Sequence, residues 1–295
     1  MRPLLPDAPK GRNRTQEAGP TSPGSSFKIG YVQFAPALGD LDATLARLEA
    51  LAPAWKGAAL IVLPELCNSG YRFTSREMAR TTSENLADSK FVRFLEAECR
   101  RNRLYIASGM NEQEGEHGYN TAVLVGPTGL VGKYRKVHLF GDEPDYFQPG
   151  NLGFPLFAVG PCRVGMLICF DWIFPEAWRI LALRGADLIA HPSNLVLPGL
   201  CQSAVPVHAV TNRVFVVTAN RVGTEGDLTF TGQSLIAGPD AKVLAEASAT
   251  GEEVGMAEVD LMRARDKMIT PRNHALEDRR PEEYLLLVQP PIPPD

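Results

Sequence analysis

The chain has 295 residues, of which 44% are hydrophobic and 22% are charged, and its formal net charge is −4. This composition is typical of a soluble globular protein with a large core, in one large domain or two ordinary ones. The near balance of 30 basic and 34 acidic residues gives no electrostatic case for binding nucleic acid or an anionic membrane surface.

The alternation of apolar and amphipathic segments defines the predicted elements. FKIGYVQFAP predicts the first strand, and Asp40 caps a helical pattern that runs to about residue 54. Further strands are predicted at AALIVLPE, LYIASGM, TAVLVGP, the bent pair PLFAVGPCRVGMLIC, ADLIAHPSN, VFVVTAN, the hairpin QSLIAGPDAKVLAEA and the closing GMAEVDL, and further helices at 86–103, 174–185 and 200–213. This order favours a layered α/β fold with mixed sheets. Neither a dinucleotide-binding glycine motif nor a P-loop is present.

The two ends of the chain differ from its middle. Eleven of residues 1–26 are Pro, Gly or Ser and none is aromatic, which predicts a disordered leader. The proline-rich segment at 289–295 predicts a loose C-terminal tail. No linker or repeat interrupts the region between them, so 27–288 is predicted to form a single domain.

The cysteines and the absence of targeting segments predict a cytoplasmic protein. The five cysteines are odd in number, irregularly spaced and without a CxxC pair, so neither a disulfide framework nor a zinc ribbon is expected. No apolar run approaches the length of a membrane-spanning helix, and MRPLLPDAPKGRNR lacks the apolar segment of a secretory signal. We therefore expect a reduced protein without nucleic-acid or membrane partners.

Three reactive side chains lie at the ends of strand-like runs. Glu65 ends ALIVLPE, Lys136 lies in VGKYRKVHL, and Cys169 ends VGMLIC. Because catalytic groups in α/β folds collect at strand ends, we expect these residues to share a site. A thiol attacks carbonyl or nitrile carbon as the thiolate, a buried carboxylate can take its proton, and a lysine can hold the resulting oxyanion. The N–H of Phe170, at the turn into the next helix, is a second candidate oxyanion donor.

Each of these residues also has a structural interpretation. A cysteine in an apolar run is commonly an inert core residue, Glu65 alone could cap or hydrogen-bond, and Lys136 alone could lie on the surface. A cysteine–histidine enzyme also stays open, because His138 and His191 flank strand-like runs, although no local papain-like signature is present. No two histidines share a metal-ligand spacing, so no metal is expected.

The segments LIVLPEL, YRKVHLF and ICFDWIFPE resemble, in this order, the three signature blocks of the nitrilase superfamily of carbon–nitrogen hydrolases. The similarity runs from about residue 27 to residue 284. It implies a four-layer αββα sandwich, in which two mixed β-sheets are flanked by helices. It also implies that Glu65 is the general base, Lys136 the oxyanion stabiliser and Cys169 the nucleophile.

Further site residues and an assembly follow from the same resemblance. EPDYFQPG matches the family pattern E-x-x-Y-F-x-P-G, which implies that Glu143 orients the substrate and the lysine; the alternative is a solvated loop acid beside Asp142. Phe170, Asn194 and Tyr71 are expected to contribute to oxyanion or substrate binding. Family members form dimers through the helix after the nucleophile and the C-terminal tail, so a homodimer or a larger even-numbered homo-oligomer is expected.

The resemblance implies conversion of a small aliphatic amide, ω-amide or carbamoyl compound to the acid and ammonia through a thioester on Cys169, without cofactor or metal. The sequence CFD, in place of the CWE of nitrilases, is most similar to the carbamoylputrescine-amidase branch and to archaeal and bacterial nitrilase-like proteins. Hydrolysis of small aliphatic nitriles is the alternative, and a catalytically silent binding module is a distant one. The acidic loops EQEGEHG and GDEPD would suit a cationic amide, or are simply solvated.

Overall fold

Two six-stranded β-sheets form the framework of the computed structural model, which describes residues 27–290. The predicted leader at 1–26 and residues 291–295 of the predicted tail lie outside the described residues. The strands are β1 Phe27–Gln33, β2 Leu60–Val62, β3 Tyr105–Glu114, β4 His117–Gly126, β5 Gly129–Arg135, β6 Leu156–Val159, β7 Cys162–Met166, β8 Leu188–Pro192, β9 Phe215–Ala219, β10 Thr224–Glu225, β11 Leu228–Thr229, β12 Leu235–Ala237, β13 Val243–Glu246, β14 Glu253–Val259, β15 Met268–Thr270 and β16 Asn273–His274. The helices are α1 Leu41–Leu51, α2 Arg76–Thr81, α3 Lys90–Asn102, α4 Pro175–Leu183, α5 Leu200–Asn212 and α6 Met262–Arg265.

The two large sheets share one plan. The first has the order β14-β1-β2-β3-β4-β5, in which β1, β2 and β3 are parallel and the remaining pairings are antiparallel. The second has the order β13-β12-β9-β8-β7-β6, in which β7, β8 and β9 are parallel. Both sheets are therefore mixed, as predicted, and the late strand GMAEVDL completes the first sheet by pairing with β1.

Alternate strand residues face the inner and outer layers. In β2, Leu60 and Val62 join the core that contains residues of both sheets, whereas Ile61 packs with Leu48 of α1 and Leu95 of α3. Helices α4 and α5 contribute to the core on the side of the second sheet. The layers therefore follow the order helix, sheet, sheet, helix, and the predicted αββα sandwich is confirmed.

Capping side chains set where the predicted helices begin. Helix α1 starts directly after Asp40, whose Oδ1 accepts from the N–H of Ala43 at 2.9 Å, as the sequence indicated. Helix α3 begins at Lys90 rather than at residue 86, because the Ser89 hydroxyl accepts from the N–H of Val92 at 3.0 Å. The capping residue therefore shortens the predicted helix by one turn.

Candidate active site

A buried lysine lies between two buried carboxylates where the strands end. Lys136 directly follows β5, and its Nζ lies 2.7 Å from Oε1 of Glu65 and 2.7 Å from Oε1 of Glu143. All three side chains are almost completely inaccessible to solvent. Glu65 follows β2, and Glu143 begins a short 3-10 turn in the loop after β5. The acid and the lysine of the predicted site thus meet, and Glu143 is not a solvated loop residue.

Two glycines let neighbouring backbone approach the site residues closely. A β-carbon at Gly109 of β3 would lie 2.4 Å from the Cα of Glu65. A β-carbon at Gly150 would lie 2.0 Å from the carbonyl oxygen of Arg135, and the Gly150 N–H donates to the carbonyl of Lys136 at 2.8 Å. Only glycine fits either position without a shift of backbone, so both segments that carry the charged residues are fixed in place.

The two carboxylate oxygens of Glu65 have different surroundings. Oε1 accepts from Lys136 and from Nδ2 of Asn120 on β4, each at 2.7 Å. Oε2 is buried, and within residues 27–290 it has no hydrogen-bond partner. The Glu65 backbone carbonyl accepts from Nδ2 of Asn194 at 3.0 Å. A buried carboxylate oxygen without a donor can accept a proton, which is what a general base requires.

Cys169 follows β7 and begins the 3-10 turn Cys169–Ile173. Its side chain is buried, and the backbone N–H of Asn194 is hydrogen-bonded to the sulfur. Burial raises the pKa of the thiol well above its usual value, the charge of Glu65 raises it further, and Lys136 opposes the shift. The thiol is therefore protonated at neutral pH, so attack by sulfur requires a base that removes the proton.

Burial and neighbouring charges shift the pKa values of Lys136 and Glu143. Burial alone would lower the pKa of Lys136, but the Glu143 and Glu65 carboxylates raise it above its usual value, so the ammonium stays charged. Burial raises the pKa of Glu143 to about 7, against the opposing effect of Lys136 and with a further rise from Glu65. The Tyr71 hydroxyl donates to Oε1 of Glu143 at 3.0 Å, so this predicted residue contacts the site through Glu143.

The turn after the cysteine is held by the buried carboxylate of Asp171. Its Oδ2 accepts from the N–H of Ile168 at 2.9 Å and from the Tyr134 hydroxyl at 2.8 Å, and its Oδ1 lies 2.7 Å from Nδ1 of His138. Because Tyr134 and His138 flank the lysine in sequence, this contact joins the lysine segment to the cysteine turn.

Both histidines that were candidate partners for the thiol have other hydrogen-bond partners. His138 pairs with Asp171, and the Nε2 of His191 lies 2.9 Å from the carbonyl oxygen of Cys169. Burial lowers the pKa of His191 to about 4, so its ring is neutral at physiological pH. Each ring is thus hydrogen-bonded to a partner other than the Cys169 thiol.

The opening beside the cysteine is narrow and largely apolar. A cavity of about 10 Å³, enough for roughly one water molecule, adjoins Cys169. A second cavity of about 150 Å³ adjoins Glu143 and Tyr71. The lining of the first cavity is Phe140, Cys169, Phe170, Trp172, Asn194, Leu195, Val196 and Leu197. Phe140 also lines the second cavity, so the two cavities share this residue in their walls.

The acidic loops do not present free carboxylates to this opening. Asp142 pairs with Arg72 at 3.1 Å, and Glu112 is buried against Arg135 at 2.9 Å. The segment EQEGEHG lines separate clefts that do not include Cys169. The cavity beside Cys169 has no acidic side chain in its lining, whereas Asp142 and Glu143 line the second cavity, so a binding surface for a cationic amide stays a prediction.

Sequence reasoning missed Asn120, which donates to Glu65, and did not foresee the contact between Asp171 and His138. A polar residue inside the buried strand YNTAVLVG was the available signal for Asn120, because such residues need a partner. Among residues 27–290, no group of three or more His, Cys, Asp or Glu side chains could hold a metal ion. No helix in that range has the length and apolar character needed to cross a membrane.

The αββα sandwich and the buried acid–lysine–thiol cluster together define an enzyme of the nitrilase superfamily. The chain belongs to the carbon–nitrogen hydrolase family, whose family model, described as "Carbon-nitrogen hydrolase", matches residues 28–267. The resemblance seen in the three signature blocks is thereby confirmed.

Relatives and solved structures cover almost the whole chain. A nitrilase from Pyrococcus abyssi is 47% identical over 259 residues, covering 87% of this chain and 98% of the relative. An N-carbamoylputrescine amidase from Solanum tuberosum is 31% identical over 289 residues, covering 88% and 94%. The crystal structure of an amidase from Nesterenkonia sp. superimposes with a TM-score of 0.74 at 26% identity, covering 89% and 96%. A glutamate-to-glutamine mutant of that amidase shows covalent addition of the acetamide moiety of fluoroacetamide at its active-site cysteine.

Proposed function

We propose that this carbon–nitrogen hydrolase converts small aliphatic amides to the acid and ammonia through a thioester on Cys169. The observation that carries the proposal is the buried Oε2 of Glu65, which has no partner among the described residues, while Oε1 is held by Lys136 and Asn120. It is an available proton acceptor near a thiol that is protonated at rest.

Acylation uses the predicted roles of four residues. Glu65 takes the thiol proton as the Cys169 sulfur attacks the amide carbon. Lys136 Nζ and the backbone N–H of Phe170 stabilise the oxyanion. Glu65 then returns the proton to the leaving nitrogen, the carbon–nitrogen bond breaks, and ammonia departs from a thioester on the sulfur.

Deacylation uses the same base, with water in place of the thiol as the nucleophile. Glu65 takes a proton from water as the water oxygen attacks the thioester carbon, and the carbon–sulfur bond then breaks. The proton passes to the sulfur of Cys169, which restores the resting thiol and releases the acid. A nitrile would instead give a thioimidate on the same sulfur, and two water molecules would then be consumed overall.

The remaining predicted residues act mainly by positioning. Glu143 holds Lys136 on the side opposite Glu65, and Tyr71 fixes Glu143 through its hydroxyl. The side-chain amide of Asn194 donates to the Glu65 backbone carbonyl, and the backbone N–H of Asn194 is hydrogen-bonded to the Cys169 sulfur. The precise placement of the base and the oxyanion donor depends on these contacts.

The opening supports a short, uncharged acyl group as the preferred substrate. The cavity beside Cys169 is small and is lined mainly by aromatic and aliphatic side chains such as Phe140 and Trp172. A charged or bulky group would lose hydration there without gaining a partner. Nitrile hydrolysis is the second candidate, because the relative with 47% identity is named a nitrilase.

Release of ammonia from matched amide, carbamoyl and nitrile derivatives of short aliphatic acids tests the proposal. We expect the wild-type protein to prefer amides, and Cys169→Ala to lose at least about 10⁴-fold in kcat because the nucleophile is gone. Cys162→Ala is the matched control, because it removes a different buried thiol, which lies on β7, and it should retain activity. A wild-type preference for nitriles would select the second candidate, and an active Cys169→Ala variant would refute the mechanism.

We also propose a homodimer that forms through α4, α5 and the segment 284–288. These elements expose Ile180, Leu183, Val207 and Leu287 and border a groove of about 470 Å³. Trp178 on α4 is instead fully buried in the core, so it is not available for a contact between copies. Light scattering should show a dimer for the wild-type protein and a shift toward monomer for Val207→Asp. A monomeric wild-type protein would contradict the proposal.

We further propose that the protein resides in a reducing compartment, the cytoplasm. All five cysteines, at positions 67, 99, 162, 169 and 201, are free and buried, and the reaction uses one of them as a thiol. Fractionation of the source cells followed by detection with an antibody would test this location. Recovery of the protein outside the cytoplasmic fraction would contradict it.

A further inference from the structure

The nucleophile has a backbone conformation that needs support. The φ angle of Cys169 is +41°, in the left-handed region that residues with a β-carbon rarely occupy. Such conformations persist where the surrounding structure holds them in place. The carbonyl oxygen of Cys169 lies 2.9 Å from Nε2 of His191, a fully buried residue on the neighbouring strand β8.

The hydrogen-bond partners of His191 determine its tautomer. Because a carbonyl oxygen can only accept, Nε2 must carry the hydrogen that bonds to Cys169. Burial lowers the pKa of His191 to about 4, so the neutral ring has one N–H and Nδ1 must be an acceptor. The Thr218 hydroxyl lies 3.0 Å from Nδ1 and therefore donates to it.

A second hydroxyl near the ring has a competing acceptor. The Ser193 Oγ lies 3.4 Å from Nδ1 and 3.3 Å from Nε2, and it donates to the backbone carbonyl of His191 at 3.2 Å. Since its single hydrogen serves that carbonyl, the shorter contact from Thr218 decides the state of Nδ1.

We propose that His191 is a positioning residue for the nucleophile and that Thr218 sets its tautomer. The Thr218 hydroxyl donates to Nδ1 of His191, and the Nε2–H of the same ring donates to the Cys169 carbonyl. This chain of hydrogen bonds holds the left-handed turn that directs the thiol toward Glu65. The inference rests on the proposed function only in taking Cys169 as the nucleophile.

Paired substitutions at His191 separate positioning from general support of the fold. His191→Leu removes the donor to Cys169 and should lower kcat about 10²-fold with KM nearly unchanged, because a small displacement of a reacting group has an effect of that size. His191→Gln places an amide N–H about as far along the side chain as Nε2, so it should recover most of the lost kcat. An unaltered kcat in folded His191→Leu would overturn the proposal.

His208 provides a matched control, because its ring also contacts Trp178. Its Nε2 lies 2.9 Å from the carbonyl oxygen of Trp172, three residues after the nucleophile, and its ring stacks on Trp178 at 4.7 Å. His208→Leu should lower the melting temperature while leaving kcat nearly unchanged. Equal losses of kcat in the His191→Leu and His208→Leu variants would show that both rings act only through stability.

The tautomer can be measured on the wild-type protein without substrate. In ¹⁵N-histidine-labelled protein at neutral pH, the His191 resonances should show a protonated Nε2 and an unprotonated Nδ1. Thr218→Val should alter this pattern and lower kcat, whereas Thr218→Ser should preserve both. A protonated Nδ1 in wild type would overturn the inference, whether or not the amidase proposal holds and whether or not His191→Leu folds.

Discussion

Arg135 and Lys136 are adjacent at the end of β5, and the side chain of each is buried against carboxylates. The two clusters of charged side chains differ in whether every carboxylate oxygen has a hydrogen-bond donor. The guanidinium of Arg135 donates to both oxygens of Glu112, at 3.0 Å and 2.9 Å, and lies 3.6 Å from the Tyr119 ring centroid. Thr121 and Lys133 donate to the same two oxygens. Every oxygen of the Glu112 carboxylate therefore has a donor.

In the cluster around Lys136, one carboxylate oxygen has no hydrogen-bond donor among the described residues. Oε1 of Glu65 receives two donors, whereas Oε2 is buried and has no partner among the described residues. Burial would raise the pKa of Glu112, but its bonds to Arg135 and Lys133 outweigh burial and lower it; in Glu143, burial prevails and raises the pKa to about 7. An unsatisfied buried polar atom needs an explanation, and here it belongs to the carboxylate that the proposed mechanism uses as proton acceptor. Under the proposed function, the Arg135 cluster supports the fold and the Lys136 cluster supports chemistry.

Glu65→Gln should have the largest effect on this comparison. An amide cannot take the thiol proton, so kcat should fall by about 10³- to 10⁴-fold, the upper part of the range for general acid–base catalysis. The free energy of unfolding should stay near the wild-type value, because Lys136 keeps its contact with Glu143. Single-turnover ammonia release and urea denaturation measure the two quantities. Near wild-type turnover in this variant would remove Glu65 from the role of base.

Glu112→Gln should show the opposite pattern, with a somewhat smaller effect. It leaves the buried Arg135 without its fully buried partner, which should lower the free energy of unfolding by roughly 3 kcal/mol. The kcat of the folded protein should be unchanged, because no donor of the Lys136 cluster is lost. Urea denaturation and ammonia release on one preparation check both quantities.

Glu114→Gln is the matched control for that substitution. Glu114 also pairs with Arg135, at 2.7 Å, but its side chain is 57% exposed. Its loss should therefore change the free energy of unfolding by less than about 1 kcal/mol. Equal effects of Glu112→Gln and Glu114→Gln would show that burial does not distinguish the two partners of Arg135.

Local patterns were enough to single out the residues of the candidate site and to predict most strands. Glu65 and Cys169 each end a continuous apolar run, and a charged or reactive residue at that position is visible without knowing the fold. The alternation of apolar strands and helices indicated a layered α/β fold with mixed sheets. The two-sheet sandwich itself came from the resemblance, since no local pattern states how strands divide between sheets.

Contacts that depend on strand register were beyond local patterns. The sequence EQEGEHG predicts that Glu112 lies in an acidic loop. In the structure β3 and β4 are longer than predicted, and their pairing sets Glu112 opposite Tyr119 inside the sheet. Likewise, Asn120 on β4 donates to Glu65, which follows β2, although β3 lies between these two strands in the sheet. Backbone hydrogen bonds between distant segments decide both positions, and a one-residue slip would reverse the direction of each side chain.

Glu143→Gln tests the remaining difference between the clusters through pH. Because the pKa of Glu143 rises from 4.5 to about 7 on folding, the folded protein binds a proton that the unfolded chain releases between these values. The wild-type contribution of this group to stability therefore falls as pH rises through that window. Glutamine does not titrate, so the unfolding free energy of the variant relative to wild type should rise across the window by on the order of 3 kcal/mol.

Urea denaturation of both proteins from pH 4.5 to above 7 measures this difference. Glu77→Gln, at a carboxylate that is 66% exposed on α2, is the control for replacing a glutamate by glutamine away from the site. A constant difference for Glu143→Gln would mean that Lys136 outweighs burial and that Glu143 is ionised throughout. The two clusters would then match in charge state, and the free oxygen of Glu65 alone would distinguish the catalytic cluster from the structural one.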